Sequence, residues 1–323
     1  MSKLILYTSN TTPILMSGAD AVTPEARSPS MRGLLRFWLR ALLGRTFGDD
    51  LIALRVQESY VFGSTGWASP VVVEFSPDQA SQCERRVLPH RANSFHQRAW
   101  AEHSRFSVTV SSSPANAELP IPALAALLLL ANLGGVGKRS RRGFGSLTIR
   151  KVKCTQDLSE HPLTKTLHEH SRDRPRDGHD LADRVQCVLK RVGQVFGATT
   201  ASAPVAGLPT YPILSSQHAK VVVCEDAMGR DYEQAMIQFW HLLRSAPYCA
   251  HERAFGHAIG GRRASPLFLH MAETDSGICF VLTAFRSEPA PLGDQGWNTL
   301  DSFLNDCMTH WSGRYLLGED QEW

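Results

Sequence analysis

Between Gly134 and Gly145 the chain reads GGVGKRSRRGFG. Four cations, Lys138, Arg139, Arg141 and Arg142, stand among glycines at 134, 135, 137, 143 and 145. Glycine admits positive φ and the close approach of a second backbone. Peptide N–H groups and guanidinium forks together suit phosphate oxygens. No acidic residue occurs from Leu119 to Gln156. Two nucleotide motifs fail here. A Walker loop needs Ser or Thr after Gly-Lys, but Arg139 follows Lys138 and Asn132 holds the first glycine position. A dinucleotide fingerprint needs a third glycine where Ser140 stands, and a helix where a strand follows. The segment is therefore expected to grip a polymeric RNA backbone through Gly134, Gly135, Gly137, Lys138, Arg139, Arg141, Arg142 and Gly143.

A second basic group lies upstream. Arg32, Arg36 and Arg40 recur at four-residue spacing, Arg27 precedes them, Arg45 trails them, and no Asp or Glu falls between Glu25 and Asp49. On an isolated helix such like-charge pairs cost roughly 0.2–0.5 kcal/mol each. An anion would offset that cost, and so would carboxylates supplied from elsewhere in the fold; both readings stay open at this point. A third, shorter patch is GGRRASP at 260–266. Its Arg262 and Arg263 either contact RNA or open a strand.

Metal-free RNA cleavage needs a general acid or base near a 2′-hydroxyl. Among thirteen histidines, His90, His96, His103, His251 and His257 are candidates, and none sits in a recognisable motif. Asp20 reads as a loop residue. His168 and His170 lack companions at zinc-like spacing. No catalytic residue, metal or cofactor is expected.

These residues need elements to position them. Residues 3–8 read as a strand. Ser28 as N-cap and Pro29 at the first helical position open a helix. Its stripe is Met31, Leu34, Leu35, Trp38, Leu39, Leu42 and Leu43, and Gly44 or Gly48 ends it. Residues 60–75 read as two short strands around a Ser/Gly turn, and 105–111 as another strand. Pro120 and Pro122 open a helix to Leu133, and residues 146–153 close with a strand. Residues 155–182 are polar and read as an insertion, 183–196 as a helix, 198–210 as a linker. A second run follows: strand 220–224, helix 232–244, strands 266–272 and 278–285, helix 297–311. The fold class is α+β, with two tandem ferredoxin-like (RRM-like, βαββαβ) domains and a helical, polar insertion. The expected boundaries are 1–154, 155–205 and 206–323.

The composition agrees with a folded protein. The chain has 323 residues, 43% hydrophobic and 20% charged, with net charge +3, so the charge's placement matters more than its sum. Seven cysteines lie far apart without CxxC pairs, which argues against a disulfide framework or structural zinc. No signal peptide is legible, and the longest apolar run, 121–133, is short of the ~20 residues a membrane span takes. A soluble cytoplasmic protein is expected.

Four segments together carry a resemblance: TPILMSGAD (12–20), RSPSMRGLLRFWLRALLG (27–44), GGVGKRSRRGFGSL (134–147) and RRASPL (262–267). They resemble the RAMP superfamily of CRISPR proteins, most closely its members named first in the type III-B Cmr effector complex. The RSRRGFGSL loop is shared more widely in the superfamily. The resemblance implies two ferredoxin-like domains and a non-catalytic subunit in antiviral defence. It also implies contact with the 3′ region of a guide RNA and its paired target RNA, with other Cmr subunits as partners and no membrane. By position, the RNA-contacting residues would be Arg32, Arg36, Arg40, Lys138, Arg139, Arg141 and Arg142. Two other readings remain: a stand-alone RAMP endoribonuclease processing precursor guide RNA, and a structural subunit whose basic face meets an acidic protein.

Overall fold

A computed structural model describes residues 1–89, 94–114, 118–197, 205, 207–256, 264–288 and 294–318. His90, His257, Gly260, Gly261, Arg262, Arg263 and linker residues 198–204 lie outside the described residues.

Strand β1 (Lys3–Asn10) leads through a loop to helix α1 (Ser28–Phe47), whose apolar stripe buries Met31, Leu35, Trp38, Leu39 and Leu42. Pro29 sits in the first turn as expected. Ser28 does not cap: Arg27 holds the N-cap position, and the Ser28 hydroxyl accepts from the Phe75 N–H at 3.0 Å. Gly48, at φ 57°, ends the helix by donating to the Gly44 carbonyl.

Helix α2 (Leu51–Phe62) follows, with Asp50 accepting from the Ile52 and Ala53 N–H groups. The reading of residues 60–62 as strand is thus corrected. The Tyr-Val-Phe run has strand-like chemistry, but here it completes a capped helix whose Val61 and Phe62 reach the core. Strand β2 (Val71–Gln79), a hairpin of β3 (Gln82–Arg86) and β4 (His96–Trp100), and β5 (Arg105–Ser112) come next. The hairpin was not foreseen.

Helix α3 (Ile121–Leu133) is nearly all buried, and the glycine loop with a 3-10 turn at Ser140–Arg142 links it to β6 (Leu147–Cys154). The polar stretch then folds into α4 (Gln156–Ser159), α5 (Pro162–Arg172) and α6 (Gly178–Gly197). Leu158, Leu163, Leu167 and Leu181 are buried in the core, so the stretch is amphipathic rather than looped out.

The second half runs β7 (Ala219–Cys224), α7 (Tyr232–Leu243), a 3-10 segment (Tyr248–Phe255), β8 (Leu267–Glu273), β9 (Ile278–Phe285), α8 (Asp294–His310) and β10 (Gly313–Leu317). The final strand was missed because it is short and follows a helix without a proline. It pairs with β7.

The molecule is a mixed α+β fold with antiparallel sheets. The first sheet runs β2-β5-β1-β6 and the second β10-β7-β9-β8, all neighbours antiparallel. One apolar cluster joins the first sheet, α1, α3 and the α5–α6 pair to Val221, Val223, Phe268, Val281 and Phe285 of the second sheet. A second fills the space between that sheet's other face, α7 and α8. The two halves therefore share apolar packing, including the ring cluster of Phe37, Trp38, Phe268 and Phe285.

Candidate nucleic-acid interface

The glycine loop is a compact knot, not an open cradle. At Gly145 (φ 70°) an added Cβ would lie 1.9 Å from the Val136 carbonyl oxygen, and at Gly137 (φ 90°) 2.7 Å from that of Leu15. Gly134 packs on the Trp38 indole nitrogen, and Gly143 lies against Leu269 and Met271 of β8. The glycines permit close packing of the loop on itself and on both halves of the chain.

Its arginines follow the same logic. The Arg141 guanidinium donates to the Ser265 carbonyl at 2.6 Å and lies over the Phe268 ring at 4.5 Å. That of Arg142 donates to the Phe255 carbonyl and lies over Trp240 at 5.3 Å. Burial lowers the pKa of each to about 10. Arg139, left-handed at φ 59°, donates to the Val87 carbonyl at 2.8 Å. These side chains clip the loop to the second half and to the β3–β4 arm, so phosphate contact is not the role this arrangement gives Arg141 and Arg142. Lys138 differs: it is exposed, its Nζ 3.0 Å from the Ser17 hydroxyl and its N–H bonded to the Leu15 carbonyl.

On α1, Arg36 donates to Glu58 Oε1 at 2.6 Å and to the Phe62 and Gly63 carbonyls at 2.7 and 2.6 Å. It closes the C-terminus of α2. Arg40 meets the other oxygen of Glu58 at 3.0 Å. Arg32 donates to the Val71 carbonyl at 3.3 Å, and burial lowers its pKa. The carboxylate that balances the helix face is thus Glu58, from a helix the sequence reading had missed. Arg27 is exposed, with Glu25 3.9 Å away, and its N–H meets the Met16 sulfur.

The structure brings some of these residues together and separates others. At about 100° per residue, Arg36 points roughly 160° from Trp38, the residue against which the glycine loop packs. The arginine face and the loop therefore lie on opposite sides of α1 and do not line one groove. The Arg27 backbone and the Lys138 ammonium touch adjacent residues, Met16 and Ser17. The exposed Arg98 of β4 adds a cation near the same loop, close enough to Asp20 to act on its carboxylate. Sequence reasoning missed Arg98, because its strand was not recognised.

Asp20 and the buried His270, which the sequence reading had not singled out, have structural duties. Asp20 accepts from the N–H groups of Val22 and Thr23 and from the Thr23 hydroxyl, and these bonds lower its pKa. It shapes its own turn. His270 of β8 is buried, donates from Nδ1 to the Gly134 carbonyl at 2.7 Å, and has its pKa lowered by burial to about 4. Among the described residues, no three His, Cys, Asp or Glu side chains are grouped to hold a metal ion. No helix among them is long and apolar enough to cross a membrane.

Comparison with known proteins places this geometry in context. A family model described as the RAMP superfamily matches residues 9–148. The "CRISPR system Cmr subunit Cmr1-1" of Pyrococcus furiosus is 30% identical over 313 residues, covering 87% of each chain. The crystal structure of apo Cmr1 from Pyrococcus furiosus superposes with a TM-score of 0.65 at 24% identity, covering 99% of this chain and 100% of that one. A chain of the type III-B Cmr-beta complex bound to cognate target RNA superposes with a TM-score of 0.63 at 11% identity, covering 95% and 99%. At these identities the superpositions speak for the fold.

Proposed function

We propose, from the premise that this chain belongs to the Cmr1 family of the RAMP superfamily, that it is an RNA-holding subunit of a type III-B CRISPR effector. In this role it contacts the 3′ region of the guide RNA and the target RNA paired to it, beside other Cmr subunits, in cytoplasmic antiviral defence. The observation that carries the reading is that exposed Arg27 and Lys138 abut the same segment, Arg27 through its backbone N–H on Met16 and Lys138 through its ammonium on Ser17. Both side chains are exposed, as backbone binding requires, with Glu25 3.9 Å from the Arg27 guanidinium. Arg98 extends the contact set, and Arg262 and Arg263, outside the described residues, are assigned to it from the sequence alone. Gly134, Gly135, Gly137 and Gly143, with Arg139, Arg141 and Arg142, hold the loop that presents Lys138.

The strand orders support reading the chain as two ferredoxin-like units. Each sheet places the first and third strands of its βαββαβ run at the centre and the fourth and second at the edges. The units are 1–154 and 206–323, with 155–205 as a helical connection packed on both. We read the subunit as one that holds RNA without cutting it; Asp20, the loop aspartate, is engaged by its own turn.

The test is RNA affinity against salt for the wild type and Arg27→Ala/Lys138→Ala. Each lost phosphate contact should flatten the log–log slope by roughly 0.7–0.9. An unchanged slope overturns the interface. A site-specific product from labelled repeat RNA in EDTA would replace the holding role with an endoribonuclease.

A further inference from the structure

Eight large hydrophobic side chains are exposed among the described residues, and five of them, Leu51, Ile52, Val56, Tyr60 and Trp67, belong to α2 and the turn after it. Ile52 (80% exposed), Val56 and Tyr60 (57%) recur every four residues and so share one face. The opposite face buries Leu54, Glu58, Val61 and Phe62. The Tyr60 and Trp67 rings stack, with centroids 5.1 Å apart, and extend the stripe beyond the helix end. A soluble helix ordinarily turns such a stripe inward.

The helix carrying it is firmly held. Asp50 closes its N-terminus and Arg36 its C-terminus. Alongside runs a groove of about 650 Å³ lined by Arg36, Arg40, Arg55, Ser59 and Tyr211. Glu58 is its one carboxylate, shared between Arg36 and Arg40, and Arg55 is exposed. The surface is a rigid apolar ridge beside a groove with surplus positive charge.

We infer that this outer face of α2 docks a neighbouring protein subunit that presents apolar side chains flanked by Asp or Glu. Leu51, Ile52 and Val56 offer aliphatic area that neither stacks on bases nor meets phosphate, so RNA would leave the ridge wet. A second copy of this chain is disfavoured by symmetry. A two-fold axis through the ridge would set Arg55 against Arg55 near the middle of α2. An acidic partner satisfies both the ridge and the groove, and exclusion of water over the ridge strengthens the charge pairs beside it. The inference rests on the effector reading, which supplies the subunits among which the partner is sought.

The experiment assembles the purified full chain with the other subunits of its own effector and guide RNA. It measures the apparent Kd of incorporation for the wild type, Ile52→Glu and Arg55→Glu. RNA affinity and thermal melting of the isolated chain are followed in parallel. Each variant should weaken incorporation by roughly tenfold or more, while Ile52→Glu leaves RNA affinity and melting unchanged. Incorporation equal to wild type overturns the proposal. So does a loss of RNA affinity in Ile52→Glu, which would make the ridge an RNA surface. A self-association of the isolated chain that Ile52→Glu abolishes would assign the ridge to a second copy instead. A wild-type chain that joins no other subunit overturns the effector reading itself, and the docking proposal with it.

Discussion

The imidazole of His270, on the second sheet, donates to the carbonyl oxygen of Gly134, the first residue of the glycine loop, across 2.7 Å. The two residues are 136 positions apart. A carbonyl only accepts, so Nδ1 carries the proton, and the enclosed ring stays neutral.

That neutrality has a pH signature. Burial lowers the His270 pKa from 6.5 to about 4. As pH falls, the unfolded chain therefore takes up the proton first. Stability attributable to this group is full above about pH 6.5, declines between 6.5 and 4, and is flat below that. The loss across the window is about 3 kcal/mol. His170, also lowered to about 4 by burial, adds to it in the same direction. Denaturant unfolding at pH 7 and pH 4.5 should show a smaller drop for His270→Gln than for the wild type. Equal drops would mean that the ring is charged in the fold.

Arg36 and Arg142 should behave as structural residues. Arg36→Ala strips the cap from α2 and half the pairing from Glu58, a side chain only 11% exposed. Arg142→Ala removes the donor to Phe255 and leaves a void beneath Trp240. Each should cost roughly 2–4 kcal/mol in urea melts. Under conditions where they stay folded, both should keep the wild-type salt slope of RNA binding. A flatter slope for Arg142→Ala would show that it reaches phosphate after all.

Two glycines should respond in opposite senses to alanine. Gly33 lies within α1 with nothing within 4 Å of an added Cβ, so Gly33→Ala should stabilise by roughly 0.5–1 kcal/mol. Gly145→Ala meets the Val136 carbonyl at 1.9 Å in a left-handed conformation and should fold poorly or not at all. Thermal melting of the first and soluble yield of the second check the pair.

The sequence by itself determined the local terms of this protein. Period-3.6 apolar spacing marked α1, an apolar run opened by prolines marked α3, β-rich runs marked β1, β5, β6 and β9, and the composition of 134–145 marked a glycine-rich cationic loop, read there as a grip on RNA. It did not reveal α2, because a helix with Ile52, Val56 and Tyr60 turned to solvent lacks the one-sided pattern that identifies helices. Nor did it reveal which cations face solvent. Arg36 finds Glu58 22 residues away, and Arg142 finds Phe255 113 residues away. Only the tertiary structure brings such partners into contact, so only it decided that Arg141 and Arg142 clip the two halves together while Arg27 and Lys138 keep their charge at the surface. Periodicity reports which face of an element is buried; the neutralisation of a particular charge depends on groups that chain order keeps far apart.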